Sequence, residues 1–218
     1  MTDFTTRTRA VLGDAGMDAL RKARIAVVGL GGVGSYAAEA VVRSGVGHVV
    51  LVDHDTVDIT NCNRQLVALR STVGRLKTDV ARERALDINP GCDVRALPVF
   101  CAADTMADIL TPRPDCVLDC IDSVAAKCDL VAACVRAGIP VFSALGTGRK
   151  LDPARLCVRD VFETSHDPLA RAVRHELRRR GVERLTVVCS DEPPAGALVE
   201  TGGRPSPGSV AWVPGCAG

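Results

Sequence analysis

The run RIAVVGLGGVGS, residues 24–35, constrains this chain more than any other stretch. An apolar, β-branched segment ends in Gly29, Gly31 and Gly34 at G-x-G-x-x-G spacing, with Gly32 inside the same turn. GVGSYAAEAVVRSG then continues with helical spacing to a terminal glycine at Gly45. A buried strand, a tight turn and a helix are the expected products. The first glycine permits the turn, the second lets a phosphate approach the backbone, and the third lets helix and strand pack closely. The helix N-terminus would aim amide donors and the positive end of its dipole at an anion. Alone the pattern also fits a glycine turn needed only for packing. Between a strand and a helix it points to nucleotide binding.

The rest of the chain extends the pattern. Strands are expected at 48–53, 93–99, 115–122 and 139–145. Helices are expected from about Arg75 to Ile88, stopped by Asn89-Pro90, and over 124–138, ending at Gly138. Such alternation predicts an α/β fold: a Rossmann-like, mostly parallel sheet with helices on both faces. Residues 24–148 form the nucleotide-binding half of a single domain over 1–218, and 149–218 its C-terminal half. In that second half, 155–161 and 184–190 read as strands and DPLARAVRHELRRRG as a helix. EPPAGALVETGGRPSPGS, rich in Pro and Gly, reads as a loop. VAWVPGCAG ends the chain with no further helix expected.

Composition removes several classes. A chain of 218 residues has room for a sizeable core, and 47% hydrophobic with 24% charged residues suits a soluble globular protein. No apolar run approaches the about 18 residues that span a membrane, and MTDFTTRTRA lacks a signal core, so no membrane partner and a cytoplasmic location are expected. The ten cysteines sit mostly in apolar runs and none forms a CxxC pair. Buried free thiols are therefore expected, not disulfides or a four-cysteine zinc site. The net charge of +1 gives no bulk field for nucleic acid. Basic charge is local instead: residues 171–184 carry six arginines against two glutamates.

The stretch DHDTVDITNCNRQL, residues 53–66, bears on which nucleotide is held. Asp53 lies 19 residues past Gly34, at the end of the second strand, where an acid accepts hydrogen bonds from ribose hydroxyls. Hydride transfer needs no cations around a triphosphate tail. Adenylation does, because pyrophosphate leaves and negative charge builds on its oxygens. Arg64 and Lys77 are such cations, both expected to be exposed at the sheet edge. Asp55, Asn61 and Gln65 add polar groups beside them, and Cys62 reads as packing. Asp122 ends the fourth strand, at the carboxyl edge where α/β sheets bind ligands, and its oxygens suit Mg²⁺. Singly, each of these is more often a surface charge. Together they favour ATP over NAD.

With these residues in view, GLGGVGS, LVDHDTVDITNCNRQ, TVGRLK, INP and DCIDSVAAK resemble the ubiquitin-activating-enzyme-like superfamily of adenylating enzymes. RSGVGHVVLVD, LGTGRKLDP and DPLARAVRHELRRRG are most similar to its tRNA threonylcarbamoyladenosine dehydratase branch. The resemblance covers about residues 7–190. It implies that Asp53 binds ribose, that Asn61, Arg64, Gln65 and Lys77 line the triphosphate, and that Asp122 assists Mg²⁺ and the leaving pyrophosphate. It implies a homodimer in which Arg7 reaches the partner subunit's ATP, although Phe4 stands where relatives carry a second arginine. The implied substrate is a tRNA bearing threonylcarbamoyladenosine, whose carboxylate is adenylated and closed into a ring. Arg174, Arg178 and Arg179 would then contact tRNA phosphates. A sulfur-transfer or cysteine desulfurase system is a further implied partner, and a C-terminal helix beyond Gly218 is expected but lacking. Rival readings are an adenylyltransferase for a ubiquitin-like sulfur carrier, a nucleotide-binding scaffold without catalysis and, last, an NAD-dependent oxidoreductase.

Overall fold

A computed structural model describes residues 3–201 and 204–218. Seven segments form one sheet: Arg24–Val28 (β1), His48–Val52 (β2), Asp93–Leu97 (β3), Cys116–Asp119 (β4), Val141–Ala144 (β5), Leu156–Asp160 (β6) and Thr186–Ser190 (β7). Each lies inside a stretch expected to be a strand. The spatial order is β3-β2-β1-β4-β5-β7-β6. All neighbours pair in parallel except β6, which runs antiparallel to β7 at the edge.

The strands read as near-continuous apolar runs because both faces are covered. Thr6–Lys22 (α1) precedes the sheet; Gly34–Arg43 (α2) and Lys77–Ile88 (α3) cover one face, packing Ala38, Val42, Val80 and Ala85 against Val27, Val49 and Leu51. Met106–Ile109 (α4) and Val124–Ala137 (α5) cover the other, where Ile109, Leu130 and Cys134 meet Ala26, Val28, Val50 and Val52. Pro168–Arg179 (α6) adds Val173 and Leu177 to Cys128 and Val131 of α5 and to Val187 of β7. Burying each such aliphatic side chain contributes about 1.5–3 kcal/mol before chain entropy is counted.

Three elements depart from expectation. The first, α1, bends at Gly13, whose φ of 70° leaves the helical region, and is anchored by the fully buried Met17. Its two internal glycines and broken apolar stripe hid it. The expected loop over 192–209 contains an antiparallel pair, Leu198–Thr201 (β8) with Arg204–Pro207 (β9). Gly202 and Gly203 of that loop lie outside the described residues. Prolines at 205 and 207 are compatible with a two-stranded edge, where half the amides need no partner. Finally, Trp212–Ala217 (α7) is a short helix, and Pro214 sits in its first turn, where no intrahelical amide bond is lost. The ten cysteines are all free, as expected.

Candidate nucleotide site

Strand order reverses direction of progression between β1 and β4, which leaves a crevice above their carboxyl ends. The glycine turn leaves β1 into this crevice and the Asp122 loop leaves β4 into it. The glycines divide by role. Gly29 has φ 91°, and a side chain there would strike the Cys120 carbonyl at 2.8 Å. At Gly34 a Cβ would collide with the Gly29 carbonyl oxygen and meet Cys120 Cβ at 3.0 Å, so helix α2 could not seat on the sheet. Gly31 differs: a Cβ there meets nothing nearer than Gln65 Nε2 at 3.9 Å. Protein packing does not require glycine at that position. Gly32 lies under Pro214 of α7, 3.2 Å from where its Cβ would stand.

Asp53 ties the turn to β2. Its Oδ2 accepts the Leu30 amide at 2.7 Å and its Oδ1 the Asp55 amide at 2.8 Å. Asp55 in turn accepts a 2.8 Å bond from Lys77 Nζ, and its other oxygen lies 3.3 Å from His54 Nε2. Contrary to the exposure expected from sequence, Lys77 is only 5% accessible, because α3 begins at this residue and folds its stem inward. Arg64 is half-buried, again less open than expected. Its Nη1 donates to the Thr60 carbonyl at 3.0 Å and to Asn63 Oδ1 at 2.8 Å. Burial pulls the guanidinium below its ordinary pKa, while the nearby Asp122 carboxylate opposes that shift. Asp122 itself is exposed.

Asn61 is spent locally: its Oδ1 accepts the Asp58 amide in a reciprocal cap of the turn over Ile59–Asn61. Gln65 is buried beside Gly31, and among the described residues its Oε1 has no hydrogen-bond partner. A buried polar atom without a partner costs about 1–3 kcal/mol, so a ligand donor here would relieve it. Asp53, His54 and Asp55 also bring metal-type donor atoms within 4.8 Å of one another. Their oxygens are already occupied by amides and by Lys77. Cys62 is exposed and does not pack as expected. Arg7 lies exposed on α1.

Sequence reasoning gave no role to Lys127, the last residue of IDSVAAK. It is completely buried on α5, and its Nζ donates to Asp119 Oδ2 (2.7 Å), Ser143 Oγ (3.0 Å) and the Ala144 carbonyl (3.0 Å). This network locks the carboxyl ends of β4 and β5 directly beneath the Asp122 loop. A lysine amid the apolar residues of α5, with an acid on an apolar strand upstream, was the available signal. Lys150 is 2% accessible and braces two loops through the carbonyls of Glu192 and His166.

Of the arginines expected to face tRNA, Arg174 is turned inward onto the hydroxyl and carbonyl of Thr164. Arg178 lies over the Phe162 ring, 5.1 Å from its centroid, and Arg179 pairs with Glu176 at 3.1 Å.

A phosphate-type glycine turn at the switch point of a doubly wound sheet, faced by a lysine and an arginine, defines a nucleotide-binding protein of the adenylating type. The chain belongs to the ThiF family, whose model matches residues 5–187. It is 44% identical over 190 residues to the tRNA threonylcarbamoyladenosine dehydratase of Bacillus subtilis, covering 87% of this chain and 75% of that protein. With the Escherichia coli protein of the same name the identity is 42% over 171 residues, 78% of this chain and 64% of the relative. The crystal structure of the E. coli dehydratase, TcdA, in complex with ATP superposes with a TM-score of 0.86 at 35% identity, over 97% of this chain and 86% of that one. Molybdopterin-synthase and sulfur-carrier adenylyltransferases stand farther off, at 33% identity over 157 and 150 residues. No helix among the described residues is long and apolar enough to cross a membrane.

Proposed function

We propose that this chain is an ATP-dependent dehydratase that adenylates the threonine carboxylate of threonylcarbamoyladenosine in tRNA and cyclises it, releasing AMP and pyrophosphate. The observation that carries the reading is the room left above Gly31, where a Cβ would meet only the Gln65 amide nitrogen, a donor suited to a phosphate oxygen, at 3.9 Å. A glycine that neither backbone geometry nor packing demands is accounted for by a phosphate resting on it. The greater likeness to the dehydratases than to the carrier adenylyltransferases favours tRNA over a ubiquitin-like protein as substrate.

In this reading the threonine carboxylate attacks the α-phosphorus and pyrophosphate departs with the bonding pair. The tethered carbamoyl group then attacks the acyl carbon and AMP leaves. The net loss is one water. Because the second nucleophile is already on the substrate, geometry replaces an enzyme nucleophile. The protein needs cations and positioning, and the exposed Cys62 and Cys216 need no part in it. Lys77, carried desolvated on Asp55, and Arg64 would meet the charge developing on the phosphate oxygens. Asp53 would accept the ribose hydroxyls through lone pairs left free by its amide bonds. The exposed Asp122 offers the hard oxygen donor that suits Mg²⁺ shared with phosphates, and the ion would offset triphosphate charge. Arg7, exposed on α1, would reach the ATP of a second copy in a homodimer.

The test is to incubate the protein with ATP and tRNA carrying the modification, and to analyse the nucleosides. A product lighter by one water, formed with equimolar AMP, is expected. ATP turnover with a sulfur-carrier protein but not with the tRNA would overturn the assignment.

A further inference from the structure

Helix α6 begins at the rim of the nucleotide crevice. Its N-cap, Asp167, accepts the Gly146 amide at 3.0 Å, just past the carboxyl end of β5. It then runs to the opposite edge of the sheet, where residues 181–183 lead into the amino end of β7. At about 1.5 Å per residue its 12 residues span about 18 Å. Ala170, Val173 and Leu177 are its buried face. The opposite face carries Arg171, His175, Arg178 and Arg179, all exposed and falling within about 100° of one another on a helical projection. The helix's sole acid, Glu176, lies on the flank, engaged by Arg179 and Arg180. Arg171 has no ion pair among the described residues.

At the far end the face opens onto a cleft of about 540 Å³ lined by Phe162, Arg178, Gly181, Val182 and Glu183. The Phe162 ring in its lining is half-buried and packs against the core, with the Arg178 guanidinium over its face, 5.1 Å from the centroid. The sequence holds only four phenylalanines. One of those four now stands where the cationic stripe ends.

We propose that this face and cleft are an RNA track: phosphates lie along Arg171, His175 and Arg178, and one unstacked base enters the cleft against the Arg178 guanidinium, which the Phe162 ring backs. The proposal rests on tRNA being the substrate. A cationic stripe with helical rise fits a polyanion, and a guanidinium backed by an aromatic ring fits a base whose face is free. Glu183, exposed at the cleft, can accept a hydrogen bond from an exocyclic amine. The track would seat the tRNA body away from the reacting nucleotide, so that affinity and chemistry are set by different surfaces.

The probes are a fluorescent anticodon-arm transcript, a single-stranded RNA octamer and a duplex of equal charge, each titrated by anisotropy over a salt series. The double variant Arg171→Gln/Arg178→Gln should flatten the slope of log affinity against log salt by about 1.4–1.8, the value for two released phosphate contacts. Phe162→Leu should leave the slope unchanged, weaken the octamer by about 5- to 150-fold and leave the duplex untouched. Phe162→Trp should restore octamer binding, which a merely structural role would not. Parental slopes and affinities in both variants, or equal competition by polyglutamate, would overturn the track. A parent protein that binds no tRNA would sink the tRNA assignment itself.

Discussion

The two halves of the chain handle charge in opposite ways. At its candidate site the half over residues 24–148 buries its lysines: Lys77 rests on Asp55, and Lys127 on Asp119 and Ser143. Residues 149–218 display charge, with Arg171, Arg178 and Arg179 along one exposed helical face. The buried Lys150 is an exception that serves as a loop brace. A charge that must act on a phosphate in a dry crevice gains by being desolvated and fixed. One that must find a long, mobile polyanion gains by reach and number. Variants in the two halves should therefore fail in different assays.

The largest effect is expected at the base of the first half. Lys127→Met leaves the buried Asp119 carboxylate without its cation, held only by the Ser143 hydroxyl and the Ile121 amide, which costs about 3–5 kcal/mol and should lower the melting temperature by roughly 6–20 °C. Calorimetry showing a loss under about 2 °C would mean that water reaches the pair and that the halves differ less than stated. Next, Arg64→Ala should reduce ATP turnover about 100- to 1000-fold while tRNA affinity stays at the parental value. Turnover within about twofold of the parent would remove the half-buried Arg64 from the chemistry. Smaller is Gly31→Ala, whose Cβ finds room in the protein. The melting temperature should hold within about 2 °C while KM for ATP rises at least about tenfold, a 1.4 kcal/mol loss. An unchanged KM would return that glycine to a packing role.

The smallest lies in the second half. Glu192 accepts the amides of Asp152 and Leu151, and these bonds hold its carboxyl below the usual carboxylate range. Because the folded pKa is depressed, the stabilisation is complete above the ordinary value of about 4.3 and fades as pH falls through the folded pKa. Hydrogen exchange at the Leu151 and Asp152 amides should speed up below about pH 4, relative to intrinsic rates, before the sheet opens. Exchange there that rises no faster than in β1 would merge this loop with the core.

How much of this was readable beforehand follows the same division. The seven sheet strands were legible because each is an apolar run bounded by turn residues. Candidate site residues could be picked out by spacing, but their burial could not. Nothing in GRLKTDV shows that Lys77 turns inward, since the partner, Asp55, lies 22 residues upstream. Lys127 stayed silent for the same reason: its three acceptors come from two other strands. The β8–β9 pair carried a Gly-Gly turn signal that its prolines masked. Arg174 and Arg178 look alike in sequence, and only the structure shows that one braces Thr164 while the other lies exposed over Phe162.

The coupling of Asp53 to its neighbours bears on inhibitor design. That single carboxylate secures the glycine turn through Leu30 and the lysine's anchor through the Asp55 amide. A compound that displaces either amide from Asp53, instead of using the lone pairs left free, pulls apart the floor it is meant to sit on. One that offers Lys77 an anion in place of Asp55 inherits a cation already stripped of water, and so begins with most of its desolvation cost removed.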